Sequence, residues 1–549
     1  FMPSSKQDSL LWSVRSCYIL FSANFSSLNW FAAWSHGRRE YTMENAFLAG
    51  LAQIANLSTL LWMSIGSVVG ILLGALPGLT ATMGVALMMP ISFQLPTATG
   101  IGLLLAVYCG AVSGASIPAI LLGIPGNPNA IATVEDGLLM TKKGKAGQAL
   151  GGAVVASFIG GIGSLLALVL FSPLIARLTL AFGPAEKTTL ALVGLVIIAS
   201  VSGKNIWKGL LMGAFGMGLA FLGTDPFSAQ VRVPFANVLS RTPLASGLDL
   251  TSTLIGLFGI SQVFYELRKR FEPPQPVEPI EVKDIFPPFK KIISMWKIIL
   301  SSLGIGTIIG SIPGTGASIA VFMAHNSAKN ITESSNGKLD LVGTGSLEGV
   351  FAPEVANNAV TGGALIPALA LGIPGDAATA VLIGALMIKG VTPGFHLFAT
   401  NMSLVYAIFL TMLVANIFMA LFQLLGVRLY PKILSVPEQL LLPLILVLSF
   451  IGAYAIAGQA TTVGIYNLGI SLVMGLIGYA LKRDDYPIAP IVLGLILGGM
   501  FEENFRRAVK LAGGNYLVFF TKPICLLFIG LSILSVVLPI LSRRKKARQ

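Results

Sequence analysis

One apolar but irregular stretch, residues 343 to 394, constrains the fold of this chain more than any other feature. Its sequence, GTGSLEGVFAPEVANNAVTGGALIPALALGIPGDAATAVLIGALMIKGVTPG, is too apolar for a surface loop and too rich in Gly, Pro and Asn for a continuous helix. Unpaired N–H and C=O groups are costly in hydrocarbon, so irregular backbone at membrane depth occurs only where protein or a wet cavity surrounds it. The stretch therefore predicts broken helices inside a membrane protein, and such breaks are candidate binding sites.

Composition indicates the class of protein. The 549 residues have a mean hydropathy of +0.82, and 54% of them are hydrophobic while only 11% are charged. A soluble domain carries about 25% charged residues. We expect an all-α polytopic membrane protein with roughly ten to twelve transmembrane spans of about 20 residues, some of them half-length.

Charge and reactive side chains exclude several classes of function. The net charge of +13 comes largely from short basic clusters at the ends of apolar runs, such as Lys290-Lys291 and Lys482-Arg483. Such clusters are typical of cytoplasmic loops rather than of nucleic-acid binding. The three cysteines form no CxxC pair and the three histidines lie far apart, so the sequence indicates neither a metal site nor a catalytic constellation. We expect no enzyme activity and no resident cofactor.

The chain contains an internal repeat. Gly123-Ile124-Pro125-Gly126-Asn127 recurs 249 residues later as Gly372-Ile373-Pro374-Gly375-Asp376, and Gly74-Ala75-Leu76-Pro77-Gly78 recurs 236 residues later as Gly310-Ser311-Ile312-Pro313-Gly314. The pattern predicts two homologous transmembrane repeats, residues 43–270 and 292–541, which we expect to be inverted relative to each other. The charged, Pro-rich residues 271–291 are the predicted linker, and residues 542–549 form a basic tail.

Residues 1–42 differ from the rest of the chain in their mixed polarity. They have no clean apolar core before a cleavage site, which disfavours a signal peptide. We expect a non-family N-terminal extension, either an over-extended start upstream of Met43 or an interfacial anchor.

A ridge of small residues leads into the first Pro-Gly of each half. Gly66, Gly70, Gly74 and Gly78 share one helix face, and their counterparts are Ser302, Gly306, Gly310 and Gly314. Small-residue ridges allow two helix backbones to approach closely in a membrane. The ridges therefore predict close helix packing beside each break.

The breaks define the candidate site. Helix ends at the bilayer midplane offer free N–H groups and a positive dipole end for an anion, while unwound carbonyl groups suit a small cation. The candidate substrate-binding residues are Pro77, Gly78, Thr80, Pro125, Gly126, Asn127, Asn129, Pro313, Gly314, Thr315, Ser318, Asn357, Asn358, Thr361, Pro374 and Gly375. The candidate cation-coupling residues are the carboxylates Glu348, Glu354 and Asp376, because a carboxylate inside a membrane is a functional hypothesis by default. The alternative is that the amides cross-link helices and that the carboxylates lie at the membrane interface.

Several segments resemble one family, the large membrane subunit (TctA) of tripartite tricarboxylate transporters. They are residues 74–93 (GALPGLTATMGVALMMPISF), Asp136-Gly137, residues 348–359 (EGVFAPEVANNA) and Ile373-Pro374-Gly375. The resemblance spans about residues 43 to 541. It implies an inner-membrane secondary transporter that is driven by an ion gradient, receives a carboxylate from a periplasmic binding protein and works with a small membrane subunit. Gly123 and His325-Asn326-Ser327 depart from the family pattern, so the carboxylate need not be a tricarboxylate.

Two alternatives to this interpretation stay open. An ion or solute channel can also be built from re-entrant repeats, and counterflow of labelled substrate distinguishes a carrier from a channel. The sequence also leaves the coupling cation open between Na⁺ and H⁺. A membrane enzyme is disfavoured because the residues for catalysis are missing.

Overall fold

The computed structural model describes residues 43–179, 182–201, 205–225, 227–232, 242–268, 285–314, 316–434, 438–457 and 460–546. The chain divides into two compact units, residues 1–48 and 49–549. The predicted extension, residues 1–42, lies outside the described residues, as do residues 271–284 of the predicted linker and the end of the basic tail. In the first unit the structure describes only the start of helix α1, Met43–Ile54.

The described residues of the first half form helices, short 3₁₀ and π-helical segments and one hairpin. Its helices are α2 (Leu57–Ala75), α3 (Ala81–Gln94), α4 (Thr97–Gly114), α5 (Ser116–Leu121), a 3₁₀ turn (Pro128–Ala130), α6 (Ile131–Lys142), α7 (Ala146–Leu178), α8 (Pro184–Val201) and α9 (Ile206–Ala220). They are followed by the antiparallel strands β1 (Gly223–Thr224) and β2 (Val231–Arg232), a 3₁₀ turn (Pro243–Ser246), α10 (Leu250–Leu254), a π-helical segment (Ile255–Ile260) and α11 (Ser261–Leu267).

The described residues of the second half are mainly helical. Its helices are α12 (Phe289–Ser294), α13 (Trp296–Ser311), α14 (Gly316–Glu333), α15 (Leu347–Leu371), α16 (Ala377–Ile388), α17 (Phe395–Thr400), α18 (Met402–Leu425), α19 (Tyr430–Leu434), α20 (Glu438–Ala455), α21 (Thr461–Arg483), α22 (Ala489–Leu511), α23 (Val518–Thr521) and α24 (Pro523–Lys546). Helix α12 begins at Phe289, within the last residues of the predicted linker.

The predicted class, an all-α polytopic membrane protein, is confirmed. Among the described residues, six helical segments are long and apolar enough to cross a membrane: Leu57–Ala75, Thr97–Leu121, Ala146–Leu178, Leu250–Leu267, Met402–Leu425 and Thr461–Arg483. Shorter apolar helices, among them α3, α9, α13 and α16, accompany them. The total of ten to twelve spans and the inverted orientation of the halves stay predictions.

The stretch that suggested several breaks contains one long helix. Helix α15 runs through Pro353 and Pro367 without interruption and ends at Leu371, directly before the predicted break at Ile373-Pro374-Gly375. Prolines are tolerated in membrane helices whose neighbours satisfy the freed backbone groups, and almost every residue of α15 is buried in protein. The neighbours of α15 thus allow both prolines to lie inside one helix.

Each helix before an Ile-Pro-Gly break ends in the same way. Gly372 has a φ of +72°, and the N–H of Ile373 donates to the Pro367 carbonyl group. In the first half Gly123 has a φ of +71°, and the N–H of Ile124 donates to Pro118. A left-handed residue after a helix commonly closes it in this manner, and glycine takes that conformation without a steric penalty.

The small-residue ridges pack as predicted. A Cβ atom added at Gly70 or Gly74 would lie 2.4 or 2.3 Å from a main-chain oxygen of α4, and one added at Gly306 would lie 2.4 Å from the Ala356 oxygen of α15. Helix α2 therefore lies directly against α4, and α13 lies against α15.

The two halves interleave around α4 and α15. Helix α7 of the first half packs along α15 of the second, while α18 of the second half packs along α4 of the first. Every residue from Ala98 to Leu121 is buried. Each half thus contributes to the surroundings of the other half's central helix.

Candidate functional site

Each half contains two breaks, a Pro-Gly turn and an Ile-Pro-Gly turn, and a main-chain hydrogen bond joins the two. The N–H of Gly78 donates to the Gly126 carbonyl oxygen at 3.3 Å, and the N–H of Gly314 donates to that of Gly375 at 2.8 Å. A Cβ atom at Gly126 would lie 2.3 Å from the Gly74 oxygen. The Pro-Gly turn and the Ile-Pro-Gly turn therefore meet within each half, beside the ridge that precedes the first of them.

New helical segments begin directly after these turns. Thr80 caps α3, Asn127 caps the 3₁₀ turn that leads into α6, and Asp376 caps α16 with a reciprocal bond to Thr379. Helix α14 begins after Thr315, which lies outside the described residues. Helix starts carry unpaired N–H groups and a positive dipole end, so the breaks bring several such ends into one region.

Each break also contacts the other half. The Ser318 hydroxyl of α14 donates to Asn129 Oδ1 at 2.8 Å, and the Tyr108 hydroxyl of α4 donates to Asp376 Oδ2 at 2.6 Å. These hydrogen bonds link the polar residues of both breaks across the repeat interface. The candidate residues of the first break and those of the second are therefore brought together.

Glu354 lies beside the first break. It is completely buried, and its carboxylate accepts hydrogen bonds from Thr133 Oγ1 at 2.6 Å and Ser157 Oγ at 3.3 Å, both from the first half. Asn358 Nδ2 donates to the same Ser157 oxygen at 2.8 Å. Thr133 follows Asn129 by four residues, about one helical turn.

Asn357, Asn358 and Thr361 precede the second break and belong to the middle of α15. Asn357 Nδ2 donates to the Val112 carbonyl oxygen of α4 at 3.2 Å. Thr361 donates to the Asn358 carbonyl oxygen of its own helix. Of these three side chains, only the two amides form hydrogen bonds to the other half that the structure describes.

Glu348 does not join Asp376. It lies at the start of α15, and this helix of 25 residues spans about 37 Å. Its Oε1 atom pairs with Lys291 Nζ at 2.6 Å and accepts the Asp340 N–H. The charge partner indicates an anchor for the segment around α12 rather than a residue beside the breaks.

A family model of the tripartite tricarboxylate transporter TctA family matches residues 60–493. The chain belongs to this family. It is 31% identical over 499 residues to an uncharacterised 52.8 kDa protein in the TAR-I ttuC′ 3′ region of Agrobacterium vitis, covering 89% of this chain and 94% of that protein. An uncharacterised protein of the TAR-II ttuC′ 3′ region in the same organism is 32% identical over 243 residues, covering 44% of this chain and 97% of that protein. No solved structure matches the chain.

Asp136 of this TctA-family chain was missed as a site residue, although the Asp136-Gly137 pair is part of the family resemblance. Its buried carboxylate accepts the N–H groups of Gly343, Gly345 and Ser346 at 2.8 to 3.0 Å, and His325 Nε2 lies 3.7 Å away. Burial raises the pKa of Asp136, but His325 and these N–H groups outweigh burial and hold the pKa below its usual value. The carboxylate ties α6 of the first half to the start of α15.

A second polar cluster adjoins the first Pro-Gly turn. Gln262 Nε2 donates to the Gly78 carbonyl oxygen at 2.9 Å and to Glu266 Oε1 at 2.6 Å, while Lys482 Nζ donates to Gln262 Oε1 at 2.6 Å. These residues come from α11 and α21. No sequence motif links these residues to the break, because they are distant from it in the sequence and only tertiary packing brings them together.

A cavity of about 480 Å³ adjoins the second break on another side, with Gly372 in its wall. Apolar side chains of α9, α16 and α22, among them Leu219, Ile383 and Leu497, form most of the lining, and among the described lining residues only Glu503 is acidic. An apolar cavity with a carboxylate does not suit an anionic substrate. The hydrogen-bonded break region is chemically better suited to one.

Proposed function

We propose that this chain is the substrate-translocating subunit of an ion-gradient-driven secondary transporter that imports a carboxylate. The observation that carries the proposal is the pair of hydrogen bonds, Ser318 to Asn129 and Tyr108 to Asp376, that joins the breaks across the two halves. Secondary transporters place substrate and coupling ion at broken helices between structural repeats. Movement of one half relative to the other would change both contacts.

The carboxylate substrate is bound by neutral donors. Main-chain N–H groups at the helix starts, together with the Asn127, Asn129 and Ser318 side chains, offer hydrogen bonds and a positive dipole end to an anion. Neutral donors avoid the cost of burying a permanent charge when the substrate leaves. Asn357 supplies a further amide one helical turn beyond Glu354.

The coupling cation, Na⁺ or H⁺, acts at the carboxylates of the same region. Glu354 is buried between the halves, and Asp376 receives the Tyr108 hydroxyl group from the opposite half. Glu348 is the weakest of the three candidates because Lys291 already neutralises it. A cation at Glu354 or Asp376 would add positive charge beside the anion site.

The partners follow from the family. The family description names a tripartite transporter, so we propose a periplasmic binding protein that delivers the carboxylate and a small membrane subunit that completes the assembly. The inner membrane is the compartment in which such an assembly can meet a periplasmic protein.

The test is counterflow in proteoliposomes that contain this chain and its small subunit, with the binding protein added outside. Vesicles loaded with one unlabelled carboxylate at a time are diluted into its labelled form. Transient accumulation of label above equilibrium is the expected result for a carrier. Label that only equilibrates would instead indicate a channel, and no flux of any carboxylate tested would contradict the proposal.

A further inference from the structure

A side-chain amide on α11 holds the carbonyl group of the first Pro-Gly turn. Gln262 Nε2 donates to the Gly78 oxygen at 2.9 Å, while the Gly78 N–H donates to the Gly126 oxygen. Gly78 has a φ of +86°, and a Cβ atom there would lie 2.7 Å from Glu266 Oε1. Both main-chain polar groups of Gly78 are therefore held, one by the other break of the same half and one by α11.

Two charged side chains determine which way the Gln262 amide points. An ammonium group can only donate, and Lys482 Nζ lies 2.6 Å from Gln262 Oε1. An ionised carboxylate can only accept, and Glu266 Oε1 lies 2.6 Å from Gln262 Nε2. A reversed amide would bring donor to donor and acceptor to acceptor. The charges thus leave one amide N–H group for the Gly78 oxygen.

The two charges compensate each other across the repeat interface. Glu266 is 5% exposed, Lys482 is partly buried, and the two attract each other. Removing one partner of such a pair leaves the other charge uncompensated, which is strongly unfavourable in a buried place. Because Lys482 belongs to α21 of the second half, the cluster also ties the first Pro-Gly turn to that half.

The direction of α11 depends on the π-helical segment Ile255–Ile260 directly before it. Such segments are rare in proteins and occur frequently at functional sites. A π-helical turn takes up an extra residue, and one residue corresponds to a rotation of about 100° in an α-helix. A continuous α-helix would therefore turn Gln262 and Glu266 away from Gly78.

We propose that Gln262, Glu266 and Lys482 are positioning residues of the substrate site, and that they act through the carbonyl group of Gly78. The turn that they hold leads into α3, whose first residues follow the cap Thr80, so displacement of the turn displaces the N–H groups of this helix start. Their assignment to a substrate site rests on the proposed transport function. Their hold on the turn does not, and it is measurable without substrate.

Hydrogen exchange of the purified full-length protein measures this hold. Mass spectrometry follows peptides that contain the Gly78 and Leu79 amides, and peptides with the Gly314 amide report on the equivalent turn of the second half. Gly78 is partly exposed, so water reaches its amide once the bond to Gly126 opens. In Gln262→Met we expect exchange at the first turn to accelerate by about tenfold, as the loss of one buried hydrogen bond produces. Exchange at Gly314 should stay unchanged.

Substitutions of Lys482 show whether the charges act through the amide. Lys482→Met leaves Gln262 Oε1 without this donor and should accelerate exchange at the first turn, whereas Lys482→Arg keeps a donor and the charge and should restore most of the protection. Lys389→Met is the matched control. Lys389 is also partly buried, and its Nζ donates to the Leu95 carbonyl oxygen beyond the other end of α3. This variant should leave exchange at the first turn unchanged.

Transport kinetics separate positioning from general packing. In counterflow with labelled citrate or succinate, Gln262→Met and Lys482→Met should raise the half-saturating concentration severalfold and change the rate at saturation less, while Lys482→Arg stays near wild type. A packing role alone would reduce the amount of folded protein and leave that concentration unchanged.

Unchanged exchange at Gly78 in Gln262→Met overturns the proposal, and so does equal acceleration at both turns. If Gln262→Met does not fold, the comparison of Lys482→Met with Lys482→Arg decides. Faster exchange with an unchanged half-saturating concentration would refute the role in the substrate site. Faster exchange in the variants, with no counterflow of any carboxylate in wild type, would refute transport and leave the hold on the turn intact. Wild-type counterflow with unchanged exchange in the variants would do the reverse.

Discussion

Replacing Asn357 by Leu separates a ligand-binding amide from one that only joins two helices. Leucine has a similar volume and suits a membrane helix, but it removes the hydrogen bond from Nδ2 to the Val112 carbonyl oxygen and the free Oδ1 atom. The bond is long, 3.2 Å, and interhelical side-chain bonds in membranes average about 0.6 kcal/mol. We therefore expect only a small loss of thermal stability.

The expected loss of substrate affinity is larger. If the Asn357 amide binds the carboxylate or its cation, the variant leaves a buried partner unpaired at a cost of about 1 to 3 kcal/mol. That cost corresponds to roughly 5- to 150-fold in affinity. The assay is the concentration dependence of uptake in proteoliposomes for the carboxylate that gives the strongest counterflow, measured beside the thermal midpoint. Asn358→Leu should also lose affinity.

Asn416 provides a matched control. It is equally buried, its Nδ2 donates to a main-chain oxygen, that of Met412, and its Oδ1 accepts no hydrogen bond. It lies on α18, outside the candidate residues. Asn416→Leu should cost as little stability as Asn357→Leu and leave affinity unchanged. Equal affinity in wild type, Asn357→Leu and Asn358→Leu would rule out both amides as ligands.

Three further changes test other parts of the region. Asp376→Asn keeps a residue that caps helices well, as Asn127 does at the equivalent position, so the fold should survive. Transport should fall if the negative charge is needed, and normal transport would show that Asp376 is only a helix cap. Gly126→Ala places a Cβ atom 2.3 Å from a main-chain oxygen and should reduce stability by about 1 to 3 kcal/mol. Gly469→Ala, where a Cβ atom has no neighbour within 4 Å, should not reduce stability by this amount. Equal thermal midpoints for the two variants would contradict the packing. The pKa of Asp136 is lowered in the folded state, so the ionised carboxylate stabilises the fold above its usual pKa of about 3.9, and this stability is lost as pH falls through the folded pKa. Asp136→Asn should therefore lower the thermal midpoint at neutral pH and make the midpoint less dependent on acid pH. An unchanged midpoint would refute the argument.

The breaks were predictable because local sequence determines them. A Pro-Gly pair disfavours a continuous helix at both of its residues, and a glycine such as Gly372 accepts the left-handed conformation that closes one. The ridge glycines were predictable for a similar reason, since their spacing places them on one face. These signals lie within a few residues of the feature they determine.

The course of α15 was not predictable in this way. Whether Pro353 and Pro367 interrupt a helix depends on what satisfies the freed backbone groups, and those neighbours come from distant parts of the chain. The partners of Glu354 are equally hidden, because Thr133 and Ser157 precede it by about two hundred residues and belong to no motif. Gly349 shows the same dependence, since a Cβ atom there would lie 1.7 Å from the Asp136 carboxylate.

The repeat explains where the charges of the site lie. A shift of 249 residues places Asn127 on Asp376, Tyr108 on Asn357 and Leu105 on Glu354. Both carboxylates therefore belong to the second half, while their hydrogen-bond donors Tyr108 and Thr133 belong to the first.

A structural repeat with identical sequences would form two equivalent sites. Here the equivalent of Glu354 is apolar and the equivalent of Asp376 is a neutral amide, so only one of each pair of positions can attract a cation. Because each carboxylate is completed by groups from the other half, any rearrangement of the halves changes its hydrogen bonds and its burial together. A cation that stabilises one arrangement of Glu354 then favours one arrangement of the breaks, which is the physical requirement for coupling an ion gradient to movement of a substrate.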